Sequence, residues 1–191
     1  DMQAIYQLAQ EHGLAVHLDG ARLWNAHVAT GIPLHEYAAC ADSISLCFSK
    51  GLGAPVGSIL VGNAEFIERA HRYRKVFGGG MRQAGILAAA ALHALDHHIE
   101  RLKDDHERAR RLAESLVSFG IAVDLEATQT NIVIADFEAM DISAESVTHD
   151  LAEHDILALP VSESRVRFVT HLDLTESDIE QTIKVLTTLF S

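Results

Sequence analysis

The sequence predicts an α/β protein in two parts, and three observations carry that expectation. Short apolar, strand-like runs alternate with helix-spaced segments through residues 1–100, the pattern of a sheet flanked by helices. From Lys103 onward the texture turns charged and amphipathic, "DDHERARRLAESLVSFG", which marks a domain boundary and leaves residues 101–191 for a smaller α+β domain. A length of 191 residues with 48% hydrophobic content is enough to bury a core.

Residues 2–12, "MQAIYQLAQEH", place Ile5, Leu8, Ala9 and His12 at helical spacing, and Gly13 supplies a left-handed stop. Strands are expected at 14–19 ("LAVHLD"), 43–49 ("SISLCFS") and 57–62 ("GSILVG"). Asn63 caps a helix over 64–77 whose Phe66, Ile67 and Ala70 share one side, and the triplet Gly78, Gly79, Gly80 ends it. A longer helix from Arg82 to His98 carries Ala and Leu on every face, which predicts burial all round against other elements or subunits. In the second part strands are expected at 121–125, 131–137 and 164–170, with helices near 143–154 and 175–190 capped by Ser143 and Thr175. The Ser143 cap is the weaker, because Ser146 stands where a capping box wants Glu or Gln.

Composition excludes some partners. Fifteen Lys and Arg against 27 Asp and Glu give a net charge of −12, which repels phosphate backbones and anionic lipid, so neither nucleic acid nor membrane is expected. Without an apolar stretch near the roughly 20 residues of a membrane span, and without a basic leader, the expected location is cytoplasmic. Cys40 and Cys47 sit in apolar context and read as small core residues of a reducing compartment. The chain opens on Asp1 rather than Met, directly before a helix-like stretch, and reads as cut from something longer.

The chemistry concentrates at two strand ends. Lysine resists leaving water, yet Lys50 stands where an apolar strand opens into a loop bearing Gly51, Gly53 and Gly57. Asp19 ends an earlier strand, turns on Gly20, and precedes Arg22 by three positions. Ligands of open α/β sheets gather at the carboxyl ends of strands, where Asp19 and Lys50 both belong. An acid and an amine so placed have one well-known joint use, pyridoxal 5'-phosphate catalysis. The amine condenses with the cofactor aldehyde, and the anion keeps the pyridine nitrogen protonated. Glycines beside the lysine let backbone approach a flat cofactor closely, and a dry pocket would lower the lysine pKa.

Four stretches then run in order over essentially the whole chain: "HLDGARLWNA", "SKGLGAPVGS", "RKVFGGGMRQAGILAAAAL" and "VRFVTHLD". Together they resemble the low-specificity threonine aldolases of the aspartate-aminotransferase-like group. The resemblance implies an α/β fold of that group (fold type I), with residues 1–100 the C-terminal part of the large cofactor-binding domain and 101–191 the C-terminal small α+β domain. It also implies that Asp19 pairs with the pyridinium nitrogen and Lys50 holds the cofactor aldehyde. Arg22 would sit by the ring hydroxyl and the substrate carboxylate, and Arg167 would form the main carboxylate fork. Lys75 and Arg82 would reach the cofactor phosphate, across a subunit boundary. The implied reaction cleaves a β-hydroxy amino acid such as threonine to glycine and an aldehyde, in a homo-oligomer, dimer or tetramer. The family's glycine-rich phosphate loop, ring-stacking histidine and base for the hydroxyl proton belong to sequence upstream of Asp1.

Blander readings stand beside these. Asp-Gly is a common turn pair, Gly78 to Gly80 suit a plain joint between helices, and "RVRFV" also suits an exposed strand with Arg165 and Arg167 on one face. His93 and His97 have the i, i+4 spacing of a zinc grip but lack an adjacent Glu and a third ligand, so a solvated helix end is the better reading and no metal is expected. His17 and His171 read as hydrogen-bonded structural residues. The rivals in function are a β-eliminating lyase or transaminase using the same Asp19 and Lys50, and a non-catalytic assembly subunit.

Overall fold

A computed structural model describes residues 2–190. The chain divides into two compact units, Asp1–Glu100 and Arg101–Ser191.

The first unit runs α1 (Met2–Glu11), β1 (His17–Gly20), α2 (Leu23–Thr30), α3 (Leu34–Ala38), β2 (Ser43–Cys47), β3 (Ser58–Gly62), α4 (Ala64–Val76) and α5 (Gly85–His97). Its sheet has the order β1-β2-β3, with β1 parallel to β2 and β3 antiparallel to β2. Parallel neighbours need a crossover, and α2 and α3 supply it. Gly13 stops α1 with φ 65°, and Asn63 caps α4 by accepting from Phe66 N at 2.9 Å.

Strand β1 is shifted against the sequence expectation at both ends. Residues 14–16 stay outside the ladder because Val16 is held by Asp42, whose Oδ2 accepts from Val16 N at 2.7 Å and whose N donates to Val16 O at 2.9 Å. At the other end Gly20 is not the turn; it is the last strand residue, in register with Leu46. A Cβ there would lie 3.0 Å from Ile44 Cγ2 and 3.0 Å from Ser45 O. Glycine therefore lets β1 close against β2 up to its carboxyl end.

Burial all round for the Arg82–His98 helix is not supplied by the other elements of this chain. The helix begins at Gly85 because Gln83 takes φ 52°, and Arg82 lies outside it. Only Ala94 is buried along α5, while Ile86 is 83% and Leu92 60% exposed. An apolar circumference records that a helix suits burial; it does not supply the elements that would cover it.

The second unit runs α6 (Leu102–Ser118), β4 (Ala122–Val123), β5 (Ile132–Asp136), a 3-10 turn at Glu138–Met140, α7 (Ala144–Ala152), β6 (Leu159–Pro160), β7 (Arg165–Val169) and α8 (Glu176–Phe190). Its sheet, β4-β5-β7-β6, is antiparallel throughout. Alternation buries Val133 and Ala135 of β5 and Val166 and Phe168 of β7 against Ala109, Leu112, Ala113 and Leu116 of α6. Those α6 positions repeat at helical spacing, which makes the charged stretch after Lys103 a core helix with a polar outer face. Ser143 caps α7 by accepting from Ser146 N at 3.2 Å. Thr175 makes the fuller cap on α8: its Oγ1 accepts from Asp178 N at 3.3 Å, and its own N donates to Asp178 Oδ2 at 2.7 Å.

His106 of α6 has its pKa lowered from the ordinary 6.5, chiefly by burial, with neighbouring Asp105 working the other way. The unfolded chain thus takes up a proton at a pH where the folded one resists it. Stability from this site is complete above about 6.5 and is lost as pH falls through that value toward the lower folded pKa. Denaturant midpoints followed across this range should fall on acidification, and His106→Gln should flatten the fall.

Candidate active site

Parallel pairing of β1 and β2 brings their carboxyl ends to the same edge of the sheet. Asp19 faces Ser45 in register, and Lys50 follows the end of β2 by three residues, so the acid and the amine belong to the carboxyl ends of neighbouring strands. Asp19 is exposed, and its Oδ1 accepts from Ala21 N at 3.0 Å, a local turn bond that fixes the carboxylate at the strand end. On the same face of the sheet His17 Nδ1 meets Ser43 Oγ at 2.9 Å.

Lys50 is exposed on a closed loop. Phe48 N donates to Gly57 O at 3.0 Å, Ala54 N to Phe48 O at 3.1 Å, and Gly53 N to Lys50 O at 2.8 Å. Gly53 and Gly57 have φ 70° and 118°, backbone that side-chain-bearing residues resist. Leu52 and Ala54 are buried at 1% and 6% exposure and anchor the loop on either side of Gly53. Trp24 holds its start, donating from Nε1 to Cys47 O at 3.1 Å and stacking on Phe48 with ring centroids 6.4 Å apart. His98 Nδ1 lies 2.6 Å from Leu52 O.

Arg22 is half-buried at the N-terminus of α2, where it occupies the cap position. Lys75 and Arg82 are both exposed, on either side of the glycine triplet. Gly78 takes φ 79°, and a Cβ at Gly80 would lie 3.3 Å from Lys75 Cγ, so the triplet folds back over the lysine stem. An apolar groove of about 740 Å³ lies beside β3 and α4, lined by Ile59, Leu60, Phe66 and Tyr73 among others; none of the predicted site residues lines it.

In the second unit Arg165 and Arg167 do share one face of β7, yet their surroundings differ. Arg165 is exposed and donates from Nε to Asp136 Oδ2 at 2.7 Å, which holds the Asp136 carboxyl below its ordinary range. Arg167, set between Ile134 and Leu159 in register, has a buried Nε without a hydrogen-bond partner among the described residues. A buried orphan donor on a guanidinium is a costly feature in a purely structural residue and fits one that waits for an anion. His171 Nδ1 lies 3.5 Å from Asp173 Oδ2. His93 and His97 are exposed with ring centroids 4.5 Å apart, and the described residues contain no group of three or more metal-ligating side chains.

Trp24, Phe48 and His98 escaped the sequence reading. Trp24 lies inside "HLDGARLWNA", but an aromatic residue five positions past the acid carries no local sign of where its indole N–H will point. For His98 the sequence offered only its place beside His97 at a helix end.

The mixed α/β fold places the chain in a class, fold type I. Residues 1–139 match the beta-eliminating lyase family, and the chain belongs to that family. It is 45% identical over 183 residues to Low-specificity L-threonine aldolase 1 of Arabidopsis thaliana, covering 95% of this chain and 51% of the relative. It is 41% identical over 182 residues to Low specificity L-threonine aldolase of Escherichia coli strain K12, covering 94% of this chain and 52% of that one. The solved Leishmania major threonine aldolase is similar in fold, with TM-score 0.77 and 19% identity over 100% of this chain and 56% of that structure. The chain thus spans about half the length of the relatives it matches. No helix among the described residues is long and apolar enough to cross a membrane.

Proposed function

We propose that the protein is a pyridoxal 5'-phosphate-dependent lyase that cleaves threonine and related β-hydroxy amino acids to glycine and an aldehyde. One observation carries the reading: Asp19 and Lys50 stand at the carboxyl ends of adjacent parallel strands, in a chain whose relatives are named threonine aldolases.

The residues present fit the cofactor. An anion for a ring nitrogen and an amine for an aldehyde are the required donor set, and the Lys50 loop is closed by glycine conformations that bring backbone close to a flat ligand. When bound, the cofactor supplies an electron sink for the pair released as a bond to the substrate Cα breaks. Asp19 holds a proton on the ring nitrogen by charge. Lys50 Nζ would hold the cofactor at its aldehyde carbon and would carry protons at the same place. Arg22 binds the substrate carboxylate and so helps select, by orienting it, which Cα bond is cleaved; in the second unit Arg167, whose Nε is buried without a partner among the described residues, is a carboxylate-binding guanidinium. Lys75 and Arg82 bind the cofactor phosphate, and the exposed Val76, Phe77, Met81 and Ile86 around them support self-association as a dimer or tetramer. The site would serve a cytoplasmic enzyme of amino-acid metabolism.

The test supplies pyridoxal phosphate and threonine to the purified protein and measures acetaldehyde and glycine. Equimolar formation of the two is expected. Pyruvate and ammonia from serine, with no acetaldehyde from threonine, would favour β-elimination, the chemistry in the family's name.

A further inference from the structure

A single side chain ties the loop that carries Lys50 to the end of α5. His98 Nδ1 lies 2.6 Å from the carbonyl oxygen of Leu52, across 46 positions of sequence. A carbonyl only accepts, so Nδ1 carries the hydrogen and donates it. The imidazole is itself constrained: the backbone N of His98 donates to Ala94 O at 2.9 Å, and its ring packs edge-on to His93 with centroids 5.3 Å apart.

The loop needs such a tie. Its turn from Lys50 to Gly53 includes Gly51 and Gly53, the second with φ 70°, and glycine backbone has the most conformational freedom to lose. Buried Leu52 and Ala54 set how deep the loop sits, but apolar contact is non-directional. The hydrogen bond to the Leu52 carbonyl fixes the orientation of the peptide two residues past Lys50. Gly53 N, donating to Lys50 O at 2.8 Å, then passes that orientation back to the lysine.

Resting on the reading of Lys50 as the cofactor lysine, we infer that His98 is a positioning residue that orients the Lys50 turn through the Leu52 carbonyl. It touches neither substrate nor cofactor in this role. Its loss leaves the lysine in place but loosely aimed, and a misplacement near 1 Å is enough to cost about 100-fold in rate.

The experiment compares His98→Leu, which removes the donor, with His98→Asn, whose side-chain amide returns one near the same place. Three measurements are made on the full protein: amide hydrogen exchange, the rate at which pyridoxal phosphate becomes attached to Lys50 as trapped by borohydride and read by peptide mass, and kcat and KM for threonine cleavage. His98→Leu should speed exchange in the segment from Phe48 to Gly57 about tenfold while α5 keeps its protection. It should slow attachment at Lys50 several-fold and lower kcat by roughly 10- to 100-fold, with KM within about threefold of the unmodified protein. His98→Asn should recover most of each change. Exchange and attachment rates unaltered in His98→Leu would overturn the inference. So would a loosened loop with attachment and kcat unaltered, loss of protection throughout α5, or failure of Asn to recover them. Absence of cleavage by the unmodified protein would count against the proposed function alone, since exchange and attachment still decide the part played by His98.

Discussion

Lys50→Ala should abolish covalent attachment of pyridoxal phosphate and lower kcat for threonine cleavage by about 10³-fold or more, with the fold intact. The residue loses its amine and nothing replaces it: no other lysine lies between Asp1 and Lys75. The loop itself does not depend on the side chain, because its closure uses the backbone of Phe48, Lys50, Gly53, Ala54 and Gly57 and the burial of Leu52 and Ala54. An exposed side chain in that setting contributes within about 0.5 kcal/mol to stability. Borohydride reduction followed by peptide mapping reads the attachment, and a denaturant curve reads the fold. Labelled peptide at Lys75 in the unmodified protein, with Lys50 unlabelled, would remove the central assignment.

The second large effect concerns stability. Asp105 is fully buried in the first turn of α6. Its carboxylate receives Arg101 through both terminal nitrogens, with Nη1 to Oδ2 at 3.1 Å and Nη2 on Oδ1; Arg108 Nη1 stands 3.6 Å away. The Asp105 carbonyl accepts from buried Thr170 Oγ1 at 2.6 Å, which joins α6 to the end of β7. Asp105→Ala would leave the Arg101 guanidinium, 17% exposed, without its anion, and would take from Arg108 one of its two carboxylate neighbours. Stranding buried charge costs far more than the pair contributes when intact, so about 3–5 kcal/mol of stability should be lost. The outer arm behaves differently. Glu176 accepts from Arg108 at 2.9 Å and Arg111 at 3.0 Å but is 60% exposed, and Glu176→Ala should cost less than about 1 kcal/mol. Urea denaturation of both variants checks the contrast; equal losses would show that burial is not what makes Asp105 costly to remove.

Legibility differed between elements for physical reasons. Caps and stops were readable because they are settled within one turn of chain: Asn63, Ser143 and Thr175 each satisfy an amide three residues away. The strands of the second unit were readable from alternation, since Val133, Ala135, Val166 and Phe168 all face one core. The two-residue strand β6 was not, because Leu159 and Pro160 have no period of their own and are strand only by pairing with β7. Helix α2 was passed over for a similar reason: its eight residues show no clear apolar stripe.

The sequence by itself determined the residue chemistry of this protein and its family, because an acid, an amine and four ordered motifs are written in the chain regardless of how it packs. It also determined the local elements, whose energies depend on neighbours within four residues. Tertiary structure alone decided the rest. It closed Gly20 into the ladder against Ile44 and Ser45, left α5 largely uncovered, and separated Arg165, paired with Asp136, from Arg167 with its orphan Nε. It also joined His98 to Leu52. Each of these depends on contacts between distant positions, and spacing along the chain carries no information about which partner will arrive.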